Sequence, residues 1–167
     1  MSFQPLRRVG TTDFQLRPAT NADAAAAREL IFVALREHGL RPDPDGTDAD
    51  LADIEGQFHQ RGGRFDVLVN AGGEIVGTVA LFRWDDATVE LRKMYLRADH
   101  RHRGLGRLLL AHALNAAREL GFRRMTLETA TVLREAIQLY EHHGFRRAAR
   151  RGPHSCRCDV VMERELG

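Results

Sequence analysis

The chain has 167 residues and is 43% hydrophobic, enough for one sizeable core and too short for two full domains. Its 25 Lys and Arg nearly cancel 23 Asp and Glu, leaving a formal net charge of +2, without the basic excess of a dedicated nucleic-acid binder. No apolar run approaches the roughly 20 residues of a membrane span and residues 1–10 lack the apolar stretch of a signal peptide, so a single cytoplasmic domain over residues 1–167 is expected. Among the basic residues only Lys93 is a lysine, a bias that suits bidentate phosphate contacts and equally a GC-rich coding sequence. Cys156 and Cys158 stand one residue apart, too close for an ordinary disulfide and too few for structural zinc, so reduced thiols are expected.

Phe14 to Arg17 reads as a short first strand halted by Pro18. Thr20 and Asp23 resemble a capping box for a helix from about Asp23 to Glu37, with Ala27, Leu30, Ile31, Ala34 and Leu35 at helical spacing. Gly39, Pro42, Pro44 and Gly46 break it, and Thr47 or Asp48 is placed to cap a second helix toward Gln60, closed by Gly62 and Gly63. Phe65 to Asn70 and Glu74 to Arg83 form a hairpin around Ala71-Gly72-Gly73, and Thr88 to Leu96 adds a third antiparallel strand. Leu105, Leu108, Leu109, His112, Ala113, Ala116 and Leu120 then line one long amphipathic helix ending at Gly121. A strand from Arg124 to Thr129, a helix carrying Leu133, Ala136, Ile137 and Tyr140 up to Gly144, and strands at Phe145–Arg150 and Arg157–Glu165 complete the order β-α-α-β-β-β-α-β-α-β-β. That order predicts an α/β protein with a mixed sheet covered on both faces rather than a doubly wound fold.

Residues Arg101, His102, Arg103, Gly104, Leu105, Gly106 and Arg107 lie between a strand and a helix start. Free backbone N–H groups and the helix dipole favour an anion there, and the glycines let the backbone approach it. A dinucleotide fingerprint would want glycine at Leu109, and a P-loop would want Gly-Lys-Ser/Thr, which is absent. A tight turn with solvated arginines is the bland alternative.

The Arg-x-x-Gly-x-Gly run, preceded by the strand Glu90 to Leu96, resembles the acetyl-CoA motif of GNAT N-acetyltransferases. Leu127-Glu128-Thr129 is similar to the family's next strand, and Ala136 to Phe145 to its A-x-x-L-Y-x-x-x-G-F segment, so the resemblance covers residues 88–146. It implies the GNAT fold: a central, mostly antiparallel mixed sheet with a splayed strand pair and helices on both faces. It implies acetyl-CoA as co-substrate, with Met94, Tyr95 and Leu96 presenting backbone groups to the pantetheine arm and His102 to Arg107 cradling the pyrophosphate. An amide-rich arm suits an exposed strand edge and an anionic end suits a helix N-terminus. Many relatives carry an asparagine where spacing places Leu133, and leucine cannot make that contact.

Attack on a thioester needs a neutral amine, whereas an alkylamine is mostly ammonium near neutral pH, so a base or water relay must take a proton. The resemblance assigns Tyr140 as the acid beside the departing thiolate, although it also completes an apolar helical row. Glu128 matches a glutamate that serves as base in ribosomal-protein-type relatives, Glu90 is its rival, and a water chain is the third alternative. Arg92, Arg123 and Arg124 offer both glutamates ion-pair partners.

His100, His102, His142 and His143, and likewise His154, Cys156 and Cys158, lack the spacing of a metal site, so no metal is expected. Asp43, Asp45, Asp48 and Asp50 crowd the loop between the first two predicted helices, where they attract a cationic amine or favour a helix start. Three functions compete: an N-acetyltransferase acting on a primary amine of a small molecule or a peptide or protein N-terminus, an acetyl-CoA-binding regulator without turnover, and a nucleic-acid module. The Tyr and Glu candidates favour the first, and 7% aromatics with plentiful acids argue against the third. No nucleic-acid or membrane partner is expected, and a homodimer stays open.

Overall fold

The computed structural model describes residues 7–9 by their backbone and residues 13–150 and 157–167 in full. Strands β1 (Arg7–Val9), β2 (Phe14–Pro18), β3 (Arg64–Asn70), β4 (Ile75–Arg83), β5 (Thr88–Leu96), β6 (Arg124–Thr129), β7 (Arg146–Arg147) and β8 (Val160–Glu165) join in one sheet, ordered β1-β2-β3-β4-β5-β6-β8-β7. Each neighbouring pair is antiparallel except β5 and β6. Helix α1 (Ala24–Glu37) packs with the buried Phe65, Val67 and Phe82 on one face, while α2 (Leu105–Glu119) and α3 (Arg134–His142) pack with Val79, Leu91 and Leu127 on the other. The architecture is the expected mixed α/β sheet with helices on both faces.

Helical spacing accounts for α1, whose Ala27, Leu30, Ile31, Ala34 and Leu35 are all buried. In α2 the predicted row needs correction. Leu105, Leu109, Ala113 and Ala116 are buried, but Leu110, Leu114 and Ala117 complete the face, and Leu120 is 46% exposed beyond the helix end. The predicted second helix is also corrected: a 3-10 turn at Ala49–Ala52 and a single π-helical turn at Glu55–His59 replace it. Side chains compete with the helix there. Asp53 accepts from the Gly56 N–H and the Asn21 amide, and Asp48 turns inward to accept from the Asp43 N–H. Leu51, Ile54 and Phe58 are nonetheless buried, so these irregular turns still pack as a helix would.

Strand β1 lies outside the predicted elements, because three residues are too few to show a period. The predicted strand at 145–150 shrinks to the exposed edge pair Arg146–Arg147, with one further bond from Ala148 N–H to Val161 O, and β8 starts at Val160 rather than Arg157. Among the described residues, no helix is long and apolar enough to cross a membrane.

The sheet opens in its middle. β5 and β6 pair in parallel only from Thr88↔Arg124 to Leu91↔Leu127. Just beyond, the β4–β5 register passes from Ala80↔Arg92 to Thr78↔Tyr95, so Lys93 and Met94 together oppose Val79 in a β-bulge. Lys93 carries the bulge at φ 53°, and its carbonyl accepts from Thr78 Oγ1 at 2.6 Å. A bulge bends its strand and increases its twist, which parts the C-terminal half of β5 from β6.

Candidate active site

A cavity of about 1220 Å³ runs through this opening. One arm lies between β5 and α3, lined by Met94, Leu96, Gly106, Ala136 and Leu139. The other lies over the open face of β4, β5 and β6, lined by Asp50, Arg61, Phe82, Trp84, Glu90 and Glu128. Tyr95, Tyr140, Arg157 and Cys158 also line the cavity.

The first arm has a free strand edge. Arg97 N–H donates to Val76 O at 2.9 Å, so by antiparallel alternation Tyr95 turns its backbone groups to β4 while Met94 and Leu96 turn theirs to the gap. Leu96 O already accepts from Arg101 Nε and Nη2 at 3.2 and 3.0 Å, and Arg101 Nη1 pairs with Glu37 at 3.1 Å. Arg101 therefore braces the loop. The edge left for a ligand is Met94 and the Leu96 N–H.

At the end of that arm, Gly104 caps α2 at φ 79°, a left-handed conformation in which a Cβ is strained whatever the space around it. His102 also has positive φ, at 62°. The first backbone bond into the helix is Leu108 N–H to Gly104 O, and among the described residues the N–H groups of Leu105, Gly106 and Arg107 have no partner. His102 lies 3.9 Å from Glu135, which sets the start of α3 beside the loop. Leu105 is buried in the core, whereas Arg103 and Arg107 are exposed and line no part of the cavity. A strand edge leading to a cluster of N–H donors fits an amide-rich arm ending in phosphates.

Tyr140 is buried on α3, with its ring edge-on to Phe145 at 5.7 Å. Burial first, then the nearby Tyr95 and Cys158, push its phenol well above the ordinary value, so it stays a proton donor across the physiological range. Among the described residues its hydroxyl has no hydrogen-bond partner. Burial likewise raises Tyr95, to about 12.

The two glutamates occupy different surroundings. Glu90 accepts from Trp84 Nε1 at 2.6 Å and is held bidentately by Arg92, Nε at 3.0 Å and Nη2 at 3.1 Å. Both its oxygens are engaged. Glu128 is half-buried on β6, where the buried Leu127 and Thr129 alternate with Thr126 and Glu128, which line the cavity. Leu133 precedes α3 and lines the cavity.

Tertiary structure gives the acidic loop partners that no motif announced. Asp48 is fully buried and accepts from Arg157 Nη1 and Nη2, each at 2.8 Å, and from Lys93 Nζ at 2.5 Å. Burial works to raise its carboxyl, but Arg157 and Lys93 hold it well below the usual carboxylate range. Asp50 lies 3.4 Å from both Lys93 Nζ and Arg92 Nη1, contacts that leave its Oδ1 without a hydrogen bond among the described residues. Within the acidic loop, Asp43 caps the turn at Thr47, while Asp48 and Asp50 enter this ion cluster. The acidic run from Asp43 to Asp50 was its signal in the sequence. No group of three metal-ligating side chains occurs among the described residues; His154 and Cys156 lie outside them, and Cys158 stands as a half-buried thiol in the cavity wall.

Residues 27–145 match the model of the acetyltransferase (GNAT) family. The chain is 37% identical over 158 residues to an uncharacterised N-acetyltransferase of Escherichia coli strain K12, covering 90% of this chain and 94% of that one. A GNAT-family acetyltransferase of Staphylococcus aureus Mu50 superposes with a TM-score of 0.87 at 24% identity, covering 92% and 99% of the two chains. An acetyltransferase of Salmonella typhimurium, solved with its cofactor acetyl-CoA, superposes with a TM-score of 0.73 at 24% identity over 93% and 95%; both likenesses speak to the fold. With the family model spanning most of its length and the Escherichia coli relative matched nearly end to end, the chain belongs to the GNAT acetyltransferases, enzymes that use acetyl-CoA as co-substrate.

Proposed function

We propose that this acetyltransferase is one cytoplasmic domain that acetylates a primary amine, on a small molecule or at a peptide or protein N-terminus. The observation that carries the reading is the continuous path from the partnerless N–H groups of α2, along the open edge at Met94 and Leu96, to Tyr140. When bound, acetyl-CoA supplies an acetyl group activated as a thioester. Met94 and the Leu96 N–H hold the amide-rich arm, and the N–H groups of Leu105, Gly106 and Arg107 hold the phosphates. Tyr140 keeps a proton on its hydroxyl for the leaving sulfur, and the raised phenol suits a donor that must not ionise beforehand. Glu128 takes the proton that the acceptor ammonium must lose, while Glu90, held by Arg92 and Trp84, shapes the acceptor arm. Thiol release from acetyl-CoA, measured across a panel of amines, tests the proposal. Tight acetyl-CoA binding without release for any amine would leave the protein a binding-only member of its family.

A further inference from the structure

The acceptor arm is rich in arginine, and most of its guanidiniums face a carboxylate. Arg92 faces Glu90 and Asp50, Arg157 faces Asp48, and Arg83 faces Asp86. Arg61 lines the same arm at its exposed rim and, among the described residues, makes no hydrogen bond or ion pair. Its guanidinium is held over the Phe82 ring, 4.5 Å from the centroid, while that of Arg92 stands 3.8 Å from the same centroid. Stacking on a ring leaves the in-plane N–H donors of an arginine available to a ligand.

The position is also built. Arg61 immediately precedes Gly62-Gly63, and a Cβ on Gly63 would overlap the Leu81 carbonyl oxygen in β4. The turn therefore lies flat on the strand that carries Phe82, and Gly63 N–H donates to Phe58 O at 2.8 Å, fixing it to the preceding helical turn. Phe58 in turn meets Phe82 edge-on at 6.1 Å. A cation pre-placed in a substrate-sized cavity, with the neighbouring cations already matched, is the complement of an anion that arrives with the ligand.

We propose that the acceptor is an amine that also bears an anionic group, most simply a carboxylate as in an amino acid, and that Arg61 is the residue that reads it. The proposal rests on the acetyl-transfer reading and narrows its acceptor from amines in general to zwitterionic ones. Arg61 binds the acceptor equally before and during the reaction, so it acts through KM and leaves kcat nearly unchanged.

The test is thiol release from acetyl-CoA with matched acceptors: amino acids against their carboxamides, a series of ω-amino acids against the corresponding alkylamines, and aminoalkylphosphonates. These are run on the wild-type chain, Arg61→Gln and Arg61→Lys, with acetyl-CoA affinity followed by calorimetry. The wild type is expected to prefer the anionic member of at least one pair by about 10-fold or more, the scale of one charge-assisted hydrogen bond. Arg61→Gln should remove that preference through KM at unchanged acetyl-CoA affinity, and Arg61→Lys should keep part of it. The phosphonates show whether the anion is a carboxylate or a larger oxyanion, and the ω-series gives its distance from the amine. Equal kcat/KM within every wild-type pair, or a preference that survives in Arg61→Gln, overturns the role of Arg61 while leaving acetyl transfer standing. Absence of release with every amine overturns both.

Discussion

Lys93→Met tests how the opening in the sheet is held. The substitution keeps an unbranched side chain of similar length and removes the charge that lies 2.5 Å from the fully buried Asp48 and 3.4 Å from Asp50. Removing one partner of a buried ion pair costs about 3–5 kcal/mol when the other is left uncompensated. Asp48 keeps two bonds from Arg157 and one from the Asp43 N–H, so the loss falls toward that of a single hydrogen bond to a charged group, about 2 kcal/mol. For a chain of this size that lowers the melting temperature by about 4–8 °C. The bulge itself should respond as well, because Lys93 sits at φ 53°, a conformation that costs a side-chain-bearing residue about 1–2 kcal/mol. The ion pair offsets that cost. Methionine would keep the strain without the compensation, whereas Lys93→Gly would remove both and let the bulge persist. The assays are thermal melting and titration with acetyl-CoA. Lys93→Met should bind acetyl-CoA about 10-fold or more weakly, and Lys93→Gly within about 3-fold of wild type, a separation of about 0.7 kcal/mol or more between partial and full retention of the strand edge. Equal affinities in the two variants, or an unchanged melting temperature in Lys93→Met, would refute the reasoning.

Five further variants have expected outcomes. Arg157 and Lys93 hold the folded Asp48 carboxyl well below the ordinary carboxylate range, so its stabilisation is present above about pH 4 and lost as pH falls through the lower folded value; Asp48→Asn should flatten the acid limb of a stability-against-pH profile. Gly104→Asp should abolish acetyl-CoA binding measured by calorimetry, since it puts a carboxylate and a strained Cβ at the N-terminal end of α2, where the phosphates are proposed to bind. Tyr140→Phe should keep acetyl-CoA affinity and lower kcat by roughly 10²-fold, and the raised phenol predicts that the wild type shows no loss of rate from tyrosine ionisation up to about pH 10. Glu128→Gln should lose kcat/KM near neutral pH and recover part of it in base. Glu90→Gln, which disturbs the Arg92 and Trp84 bonds, should instead lower the melting temperature and leave the pH profile alone.

Local rules accounted for much of this protein. The 3.6-residue spacing of Ala27, Leu30, Ile31, Ala34 and Leu35, the alternation in β6, and the glycines that begin and end helices are properties of adjacent residues, and they placed α1, α2, α3, β3, β4, β5 and β6 close to where the structure has them. The helix start after Arg101 to Gly104 was legible for the same reason: a glycine-capped helix N-terminus needs only a short contiguous stretch with the right backbone freedom. Residues 48–60 were misread as one helix because Leu51, Ile54 and Phe58 keep the apolar spacing while Asp48 and Asp53 spend their carboxylates on backbone amides. The edge strands β1 and β7 are too short to carry a period at all. What tertiary structure alone decided is the acceptor arm. Asp48, Lys93 and Arg157 meet across separations of 45 and 109 positions, and Arg61 reaches Phe82 from a different strand connection. No periodicity or motif encodes such meetings, because charge pairing and stacking depend on distance in space, and that distance exists only after the sheet has assembled and its bulge has opened β5 from β6.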